Sequence, residues 1–400
     1  MSALLVTRNL RVTEGRIWFC EDATLGREQH THGFARPADR EVEVRPPGRP
    51  GAGEAMSGIA GIVYLDGRPL ESACMDNMLN RLAQRGPDGS GAWSDRQAGL
   101  GQRMLWTTPE SLGERLPCVS REGGLALTAD ARIDNREELI CMLALKDHRP
   151  QEITDSELIL AAYQKWGESC PEKLVGDFAF AIWDGHRQTL FCARDPVGAR
   201  PFYYYHCPGR LFICSSQIRP LFCHPEVPQR LNELRVADHL AYLQEDTRLT
   251  FFQDICPLPA AHCLAVNTGG IRLRRYWDLD VKRELRLSSD EAYAGAFLES
   301  FSEAVRCRLR SAFPAGALLS GGLDSSSIVA VARQLLAGQG PTGGLHTFSA
   351  VFPTLARTYP AIDERYWIEA VAAQGGLETH YVEADRLDPL APLSFDDDEP

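Results

Sequence analysis

One run in the last quarter of the chain constrains its fold more than any other feature. Gly316 to Leu319 is a short apolar stretch with strand character, and it leads into Ser320-Gly321-Gly322-Leu323-Asp324-Ser325-Ser326. Residues Ser325 to Leu336 then carry helical spacing, and Leu345 to Val351 reads as the next strand. A helix over Arg365 to Gln374 and a strand over Thr379 to Val382 continue the pattern. Strand–loop–helix–strand in this order implies a doubly wound parallel sheet. A helix over Ser289 to Ser311, apolar at 293, 297, 301 and 305, opens this region.

The loop between strand and helix has the chemistry of a phosphate site. Two glycines let the backbone approach a phosphate without a Cβ clash. Their amides and the free N–H groups of the helix start point at the anion. Ser320, Ser325 and Ser326 add hydroxyl donors. Asp324 would repel a bare phosphate, so a cation must stand between them, which makes Asp324 a Mg²⁺ ligand. The loop lacks the Gly-Lys-Ser/Thr ending of a Walker A motif.

Leu318 to Ser325 resembles the pyrophosphate loop of the asparagine synthetase family, the class B, glutamine-dependent type. His346-Thr347-Phe348-Ser349-Ala350-Val351 resembles that family's next strand. The resemblance implies an ATP-pyrophosphatase-type α/β domain with ATP and Mg²⁺ as cofactors. Ser320, Gly321, Gly322, Asp324 and Ser325 would hold the pyrophosphate. Leu319 and Ala350 would meet the nucleotide through their main chain. The implied reaction adenylates a carboxylate, and an amine then displaces AMP to form an amide.

The region upstream reads as many short strands with few helices. Ile59 to Tyr64, Leu125 to Ala129, Phe178 to Trp183, Leu190 to Ala193, Pro201 to Tyr205 and Leu211 to Ser215 are strand-like. Met75 to Leu82 and Ser156 to Trp166 have helical spacing. Such a mixture suggests a layered α+β domain. Ser57-Gly58-Ile59-Ala60-Gly61, Gln84-Arg85-Gly86-Pro87-Asp88, Gly176-Asp177-Phe178-Ala179-Phe180 and Ala193-Arg194-Asp195-Pro196-Val197-Gly198 resemble the same family's glutaminase. That resemblance implies an N-terminal-nucleophile-type sandwich. In the family a cysteine directly after the initiator Met attacks the glutamine amide.

This chain departs from that pattern. Position 57 is Ser, a far weaker nucleophile than a thiol near neutral pH. The family's Asn-Gly-Glu segment corresponds to Asp130-Ala131-Arg132. A carboxylate at Asp130 repels a developing oxyanion that an amide N–H would stabilise. Arg103 and Asp155 still match glutamine-gripping positions. The departures resemble the lasso-peptide cyclases and β-lactam synthetases, offshoots in which the substrate supplies the amine. Two alternatives stand beside an amide-forming ligase without its own glutaminase. One is a glutamine-hydrolysing asparagine synthetase, and the other a non-catalytic nucleotide- or peptide-binding protein.

Composition narrows the partners. The net charge is −12, which argues against coating nucleic acid. No apolar run is long enough to span a membrane. The 12 cysteines form no C-x-x-C pair, so a structural zinc site of that type is not expected, and reduced thiols in the cytosol are. The expected partners are a small-molecule or peptide carboxylate and an amine donor, with room for a homodimer. The 10 histidines show no paired metal spacing.

Four segments are expected. Residues 1–55 carry eight Arg against eight acidic residues, and 33–54 are rich in Pro, Gly, Arg and Glu. They read as a disordered extension or a mis-assigned start before Met56. Residues 56–265 form a degenerate amidotransferase-like domain, 266–290 a linker, and 291–400 the first part of the synthetase domain, cut short of the family's later motifs. Asp363-Glu364 fit either an acidic active-site position or a helix start. Asp396-Asp397-Asp398-Glu399 read as a solvated loop.

Overall fold

The computed structural model describes residues 4–6, 10–13, 16–19, 56–145, 149, 152–243, 248–337 and 344–385. They divide into two compact units. The larger draws on 56–106 and 110–284, and the smaller on 4–19, 107–109 and 285–385.

In the larger unit the strand Gly58–Tyr64 is buried at every position. Its two faces meet different cores. Ile59 and Val63 pack with Leu100, Ala179, Trp183, Cys192 and Phe212 between two sheets. Ala60, Ile62 and Tyr64 face Met75, Met78 and Leu79 of the helix Ser72–Arg81. A strand covered on both faces needs apolar residues throughout, so its sequence shows no polar alternation. The strand Gly176–Asp184 repeats the principle with a period of two. Phe178, Phe180 and Ile182 point to one core, while Ala179, Ala181 and Trp183 point to the other.

Each of the two sheets has six strands. The first runs Ile255–Pro257, Tyr203–Cys207, Leu211–Ser215, Gly58–Tyr64, Ala98–Met104, Gly89–Asp95 in spatial order. The second runs Gly270–Arg275, His262–Asn267, Thr189–Arg194, Gly176–Asp184, Leu125–Ile133, Cys118–Val119. Helices Arg136–Leu143 and Asp155–Trp166 cover the second sheet through Leu139, Leu158, Ile159 and Ala162. The result is a helix–sheet–sheet–helix sandwich, the layered α+β arrangement expected of an N-terminal-nucleophile-type domain. Each large apolar side chain fully buried in these cores contributes roughly 1.5–3 kcal/mol.

Several elements were not named from the sequence, and two cases show why. The hairpin Gly89–Asp95/Ala98–Met104 is rich in glycine and shows little apolar pattern. The glycines have a packing reason: a Cβ on Gly99 would come within 2.3 Å of Leu70 Cδ2, and one on Gly101 within 2.6 Å of Met75 Sδ. The second is Gly270–Arg275, which lies inside the expected linker 266–290 yet pairs along His262–Asn267. The boundary expected at 265 is corrected to beyond Arg275. This edge strand projects Arg272 and Arg274 onto Glu168 and Glu172 instead of burying an apolar face, so no strand period appears. Tyr204 stacks on Phe212, with centroids 5.6 Å apart.

The smaller unit holds a sheet of order Leu4–Val6, Ala315–Leu318, Leu345–Val351, Leu377–Glu383. The last three strands are parallel, and the first is antiparallel to its neighbour. Helices Asp290–Arg308, Leu323–Leu336 and Arg365–Ala372 share a core with the sheet built on Val305, Ala317, Leu319, Val329, Ala332, Leu345 and Ile368. The first of these helices starts where Ser289 Oγ accepts the Ala292 N–H. It carries Asp290 and Glu291 in its first turn and Arg306 and Arg308 in its last, matching the macrodipole. Within the expected extension 1–55, Leu4–Val6 is an edge strand and Leu10–Thr13 pairs with Arg16–Phe19. The stretch 33–54 and the acidic run 396–399 lie outside the described residues. Among those described, no helix is long and apolar enough to cross a membrane.

The helix Asp155–Trp166 is placed by a carboxylate as well as by its core. Thr154 and Glu157 form a reciprocal capping box, and Glu114 Oε1 accepts the Ser156 N–H at 3.1 Å. Burial of that carboxyl raises its pKa from 4.5 to about 7, with Asp155 and Glu157 adding to the rise and bonds from Ser156 opposing it. Between these two values the native state keeps a proton that the unfolded chain has released. Stability from this group is therefore present at low pH and lost as pH rises through the window. Glu114→Gln is expected to flatten that part of the pH–stability curve, read as urea midpoints at about pH 5 and about pH 8.

Candidate functional site

The loop after Ala315–Leu318 has the geometry of an anion site. Gly321 takes φ +81°, and a Cβ there would lie 3.0 Å from Trp367 Cβ and 3.1 Å from the Glu364 carbonyl oxygen. Only glycine suits both the left-handed backbone and the close approach. Gly322 caps the helix Leu323–Leu336 with no side-chain hydrogen bond. The first-turn N–H groups are thus available at the positive end of the helix dipole. Ser325 Oγ accepts the Ser320 N–H at 3.2 Å and lies 3.0 Å from Ser320 Oγ, holding the loop closed on itself. Ser326 Oγ is buried with no hydrogen-bond partner among the described residues.

Asp324 is exposed in the first helical turn beside those amides. A polyphosphate with a bound Mg²⁺ fits this donor set, with the amides toward phosphate oxygens and the carboxylate toward the cation. The Leu319 main chain has partners within the protein. Its N–H donates to the Phe348 carbonyl at 2.9 Å, and its carbonyl accepts from Ser349 Oγ at 2.6 Å. Both main-chain groups are committed inside the protein, and only a second carbonyl lone pair is left for a ligand. Ala350 is exposed one residue beyond Ser349. Asp363 Oδ1 accepts from Arg365 Nε at 2.9 Å, just before the helix Arg365–Ala372.

In the larger unit Ser57 is 9% exposed. Its Oγ accepts the Leu105 N–H at 3.0 Å, and its carbonyl accepts from Arg85 Nε at 3.3 Å. Arg103 pairs in register with Gly58 and donates through Nε to the Leu79 carbonyl at 2.9 Å. Asp130 lies between two guanidinium groups, 3.7 Å from Arg85 Nη2 and 3.6 Å from Arg200 Nη1. Burial pushes the Asp130 carboxyl up, while Arg200 and then Arg85 pull it down. Arg132 Nε stands 3.8 Å from Asp134 Oδ1.

Asp155 is a brace. Its Oδ2 accepts the Ile133 N–H at 3.1 Å, its Oδ1 pairs closely with Arg136 Nη1, and Arg136 Nε is 3.5 Å from Glu110. An ammonium group expected to bind Asp155 would have to compete with that buried guanidinium. Breaking such a pair costs roughly 3–5 kcal/mol.

Residue patterning alone did not assign the partners of Asp130. Arg85 lies in a motif singled out by resemblance, but nothing in its spacing points at position 130. Arg200 follows another such motif, and Asp195 explains why it lands where it does. The Asp195 carboxylate accepts N–H groups from Val197, Ala199 and Arg200 at 3.1, 2.8 and 3.0 Å. Arg194 donates to the carbonyls of Gly198, Arg200 and Leu258. The Asp-Pro-Val-Gly turn is therefore a rigid frame for Arg200, and an Asp placed before a Pro-x-Gly turn was the available signal.

Comparison with known proteins agrees with this layout. A family model described as "Glutamine amidotransferase domain" matches residues 56–277, and one described as "Asparagine synthase" matches 296–395. "Asparagine synthetase [glutamine-hydrolyzing] 3" of Bacillus subtilis is 30% identical over 81% of this chain and 54% of its own length. "Asparagine synthetase [glutamine-hydrolyzing] 2" of the same organism is 28% identical over 74% of this chain and 40% of its own length. "Amidase chry2" of Gibberella zeae is 28% identical over 78% of this chain and 47% of its own length. The chain thus spans about half the length of the curated relatives it matches. With both family models falling on the two units that carry the Ser57 region and the phosphate loop, the chain belongs to the asparagine synthetase family.

Proposed function

We propose that this chain is the ATP-handling part of an amide-forming ligase whose glutaminase is inactive. The loop at 320–326 would hold the diphosphate of ATP on its amides, with Mg²⁺ on Asp324. A carboxylate substrate would be adenylated, and an amine would displace AMP. Asp130 carries the second half of the reading. It stands at the family's oxyanion position as a buried carboxylate between Arg85 and Arg200. The Asp130 carboxylate repels a developing oxyanion and offsets the charge of the two guanidinium groups beside it. The Ser57 hydroxyl oxygen accepts a main-chain N–H, and a hydroxyl stands where the family has a thiol. The amine therefore comes from ammonia or from the substrate itself, as in lasso-peptide cyclases and β-lactam synthetases.

A second reading is a glutamine-hydrolysing asparagine synthetase. The printed names of the Bacillus subtilis relatives favour it, as does the retained Arg103. The name of the Gibberella zeae relative, an amidase, supports a wider range of amide chemistry in the family.

Two measurements separate these readings. Calorimetry with MgATP should give saturable binding, which Asp324→Ala weakens by at least about tenfold, or ~1.4 kcal/mol. Absence of binding to folded protein would remove the ligase reading. Glutamate release from glutamine should stay at background in the wild type. It should remain there in Asp130→Asn, because the Ser57 hydroxyl is still a far weaker nucleophile than a thiol. Release that Ser57→Ala abolishes would establish the glutaminase instead.

A further inference from the structure

We propose that His346, Glu378 and His380 form a binding site for a divalent cation of the zinc class, separate from the Mg²⁺ position at Asp324. The three residues lie on the adjacent parallel strands Leu345–Val351 and Leu377–Glu383. His346 is the register partner of Glu378, and Phe348 that of His380. Side chains two apart on one strand share a face, so the pairing brings all three to one patch. That face is opposite the one on which Leu345, Thr347, Ser349 and Val351 are buried.

The ligand atoms converge. His346 Nδ1 is 3.1 Å from His380 Nε2, Glu378 Oε2 is 3.5 Å from His346 Nδ1, and Glu378 Oε1 is 3.7 Å from His380 Nε2. One ligand atom from each residue can be chosen so that all lie within 4.8 Å of one another. Tetrahedral zinc with bonds of about 2.0–2.1 Å needs ligand atoms about 3.3 Å apart, so small side-chain adjustments suffice. The rings are held in place: His380 is buried and stacks on Phe348 with centroids 5.0 Å apart, and the two imidazoles lie 5.4 Å apart at 15°.

A plain histidine–histidine hydrogen bond explains the set less well. Only one of the two facing nitrogens can carry the shared proton, and the carboxylate adds further lone pairs to the same spot. A divalent cation at the centre accepts electron density from all three. Two imidazoles and a carboxylate suit zinc and its neighbours, whereas Mg²⁺ prefers oxygen ligands. The position also differs. The three residues lie on the strands Leu345–Val351 and Leu377–Glu383, whereas Asp324 lies in the first turn of the helix Leu323–Leu336. The cation would pin two strands together and leave one coordination position open to water.

The test uses the full chain, freed of metal with EDTA. Zn²⁺ should compete with a chromophoric chelator for one equivalent of tight binding, and it should raise the melting temperature. His346→Ala and Glu378→Gln should each weaken binding by more than about tenfold, because losing even a hydrogen-bond partner of a metal ligand costs that much. Asp324→Ala should leave zinc binding unchanged. Should the buried His380→Ala fail to fold, the two more exposed positions carry the test. Substituted Co²⁺ should show a spectrum without a thiolate charge-transfer band. No binding, binding indifferent to both exposed substitutions, or a thiolate band from the cysteines would each overturn the proposal.

Discussion

A single buried amide fixes the geometry around Ser57. Gln102 lies in Ala98–Met104 of one sheet and reaches Ala129 of the other. Its Nε2 donates to the Ala129 carbonyl at 3.0 Å, and its Oε1 accepts the Ala129 N–H at 3.2 Å. Two hydrogen bonds between one side chain and one residue's backbone allow little slip, and both are buried. An unpaired buried amide costs about 1–3 kcal/mol, so the clamp is held as much by what its loss would expose as by what it gains. Its neighbours along both strands inherit that precision. Arg103 follows Gln102 and pairs with Gly58; Asp130 follows Ala129 and meets Arg85 and Arg200.

The same scaffold can therefore keep its shape while its chemistry changes. Asp195 still gathers three N–H groups, Asp155 still braces Arg136 and the Ile133 amide, and the sandwich cores are intact. On the proposed reading, what differs is the nucleophile at Ser57 and the charge at Asp130 and Arg132. A carboxylate at position 130 attracts the two nearest cations and becomes a buried ion cluster. Such a cluster pays in desolvation and returns less than a well-packed apolar core would. Its persistence in the fold is explained by Arg85 also holding the Ser57 carbonyl, which makes the guanidinium part of the frame.

The α/β unit follows a different logic. Three of its four described strands are parallel, so side chains of those neighbours line up at fixed register and each face carries one set. The buried face anchors the helices through Leu345 and its partners. The end of the sheet presents the loop at Gly321, whose left-handed backbone and closeness to Glu364 and Trp367 leave no room for a side chain. The other face gathers His346, Glu378 and His380. These are separate consequences of the same ladder, and neither needs the other.

The sequence by itself determined the elements whose signal is local. The phosphate loop was readable because glycine, serine and aspartate at that spacing act through their own backbone and helix start. The strands Gly58–Tyr64 and Gly176–Asp184 were readable because burial on both faces writes a continuous apolar run. The strand Gly270–Arg275 and the hairpin Gly89–Met104 were not, since an arginine-bearing edge strand and a glycine-rich one carry no apolar period. Only the tertiary structure decided that Asp130 meets Arg85 and Arg200, that Asp155 is consumed by Arg136, and that residues 346, 378 and 380 converge. Those are meetings across 19 to 70 positions of chain. They are set by sheet register and the Asp195 turn, and spacing along a sequence carries no information about which strand will lie beside which.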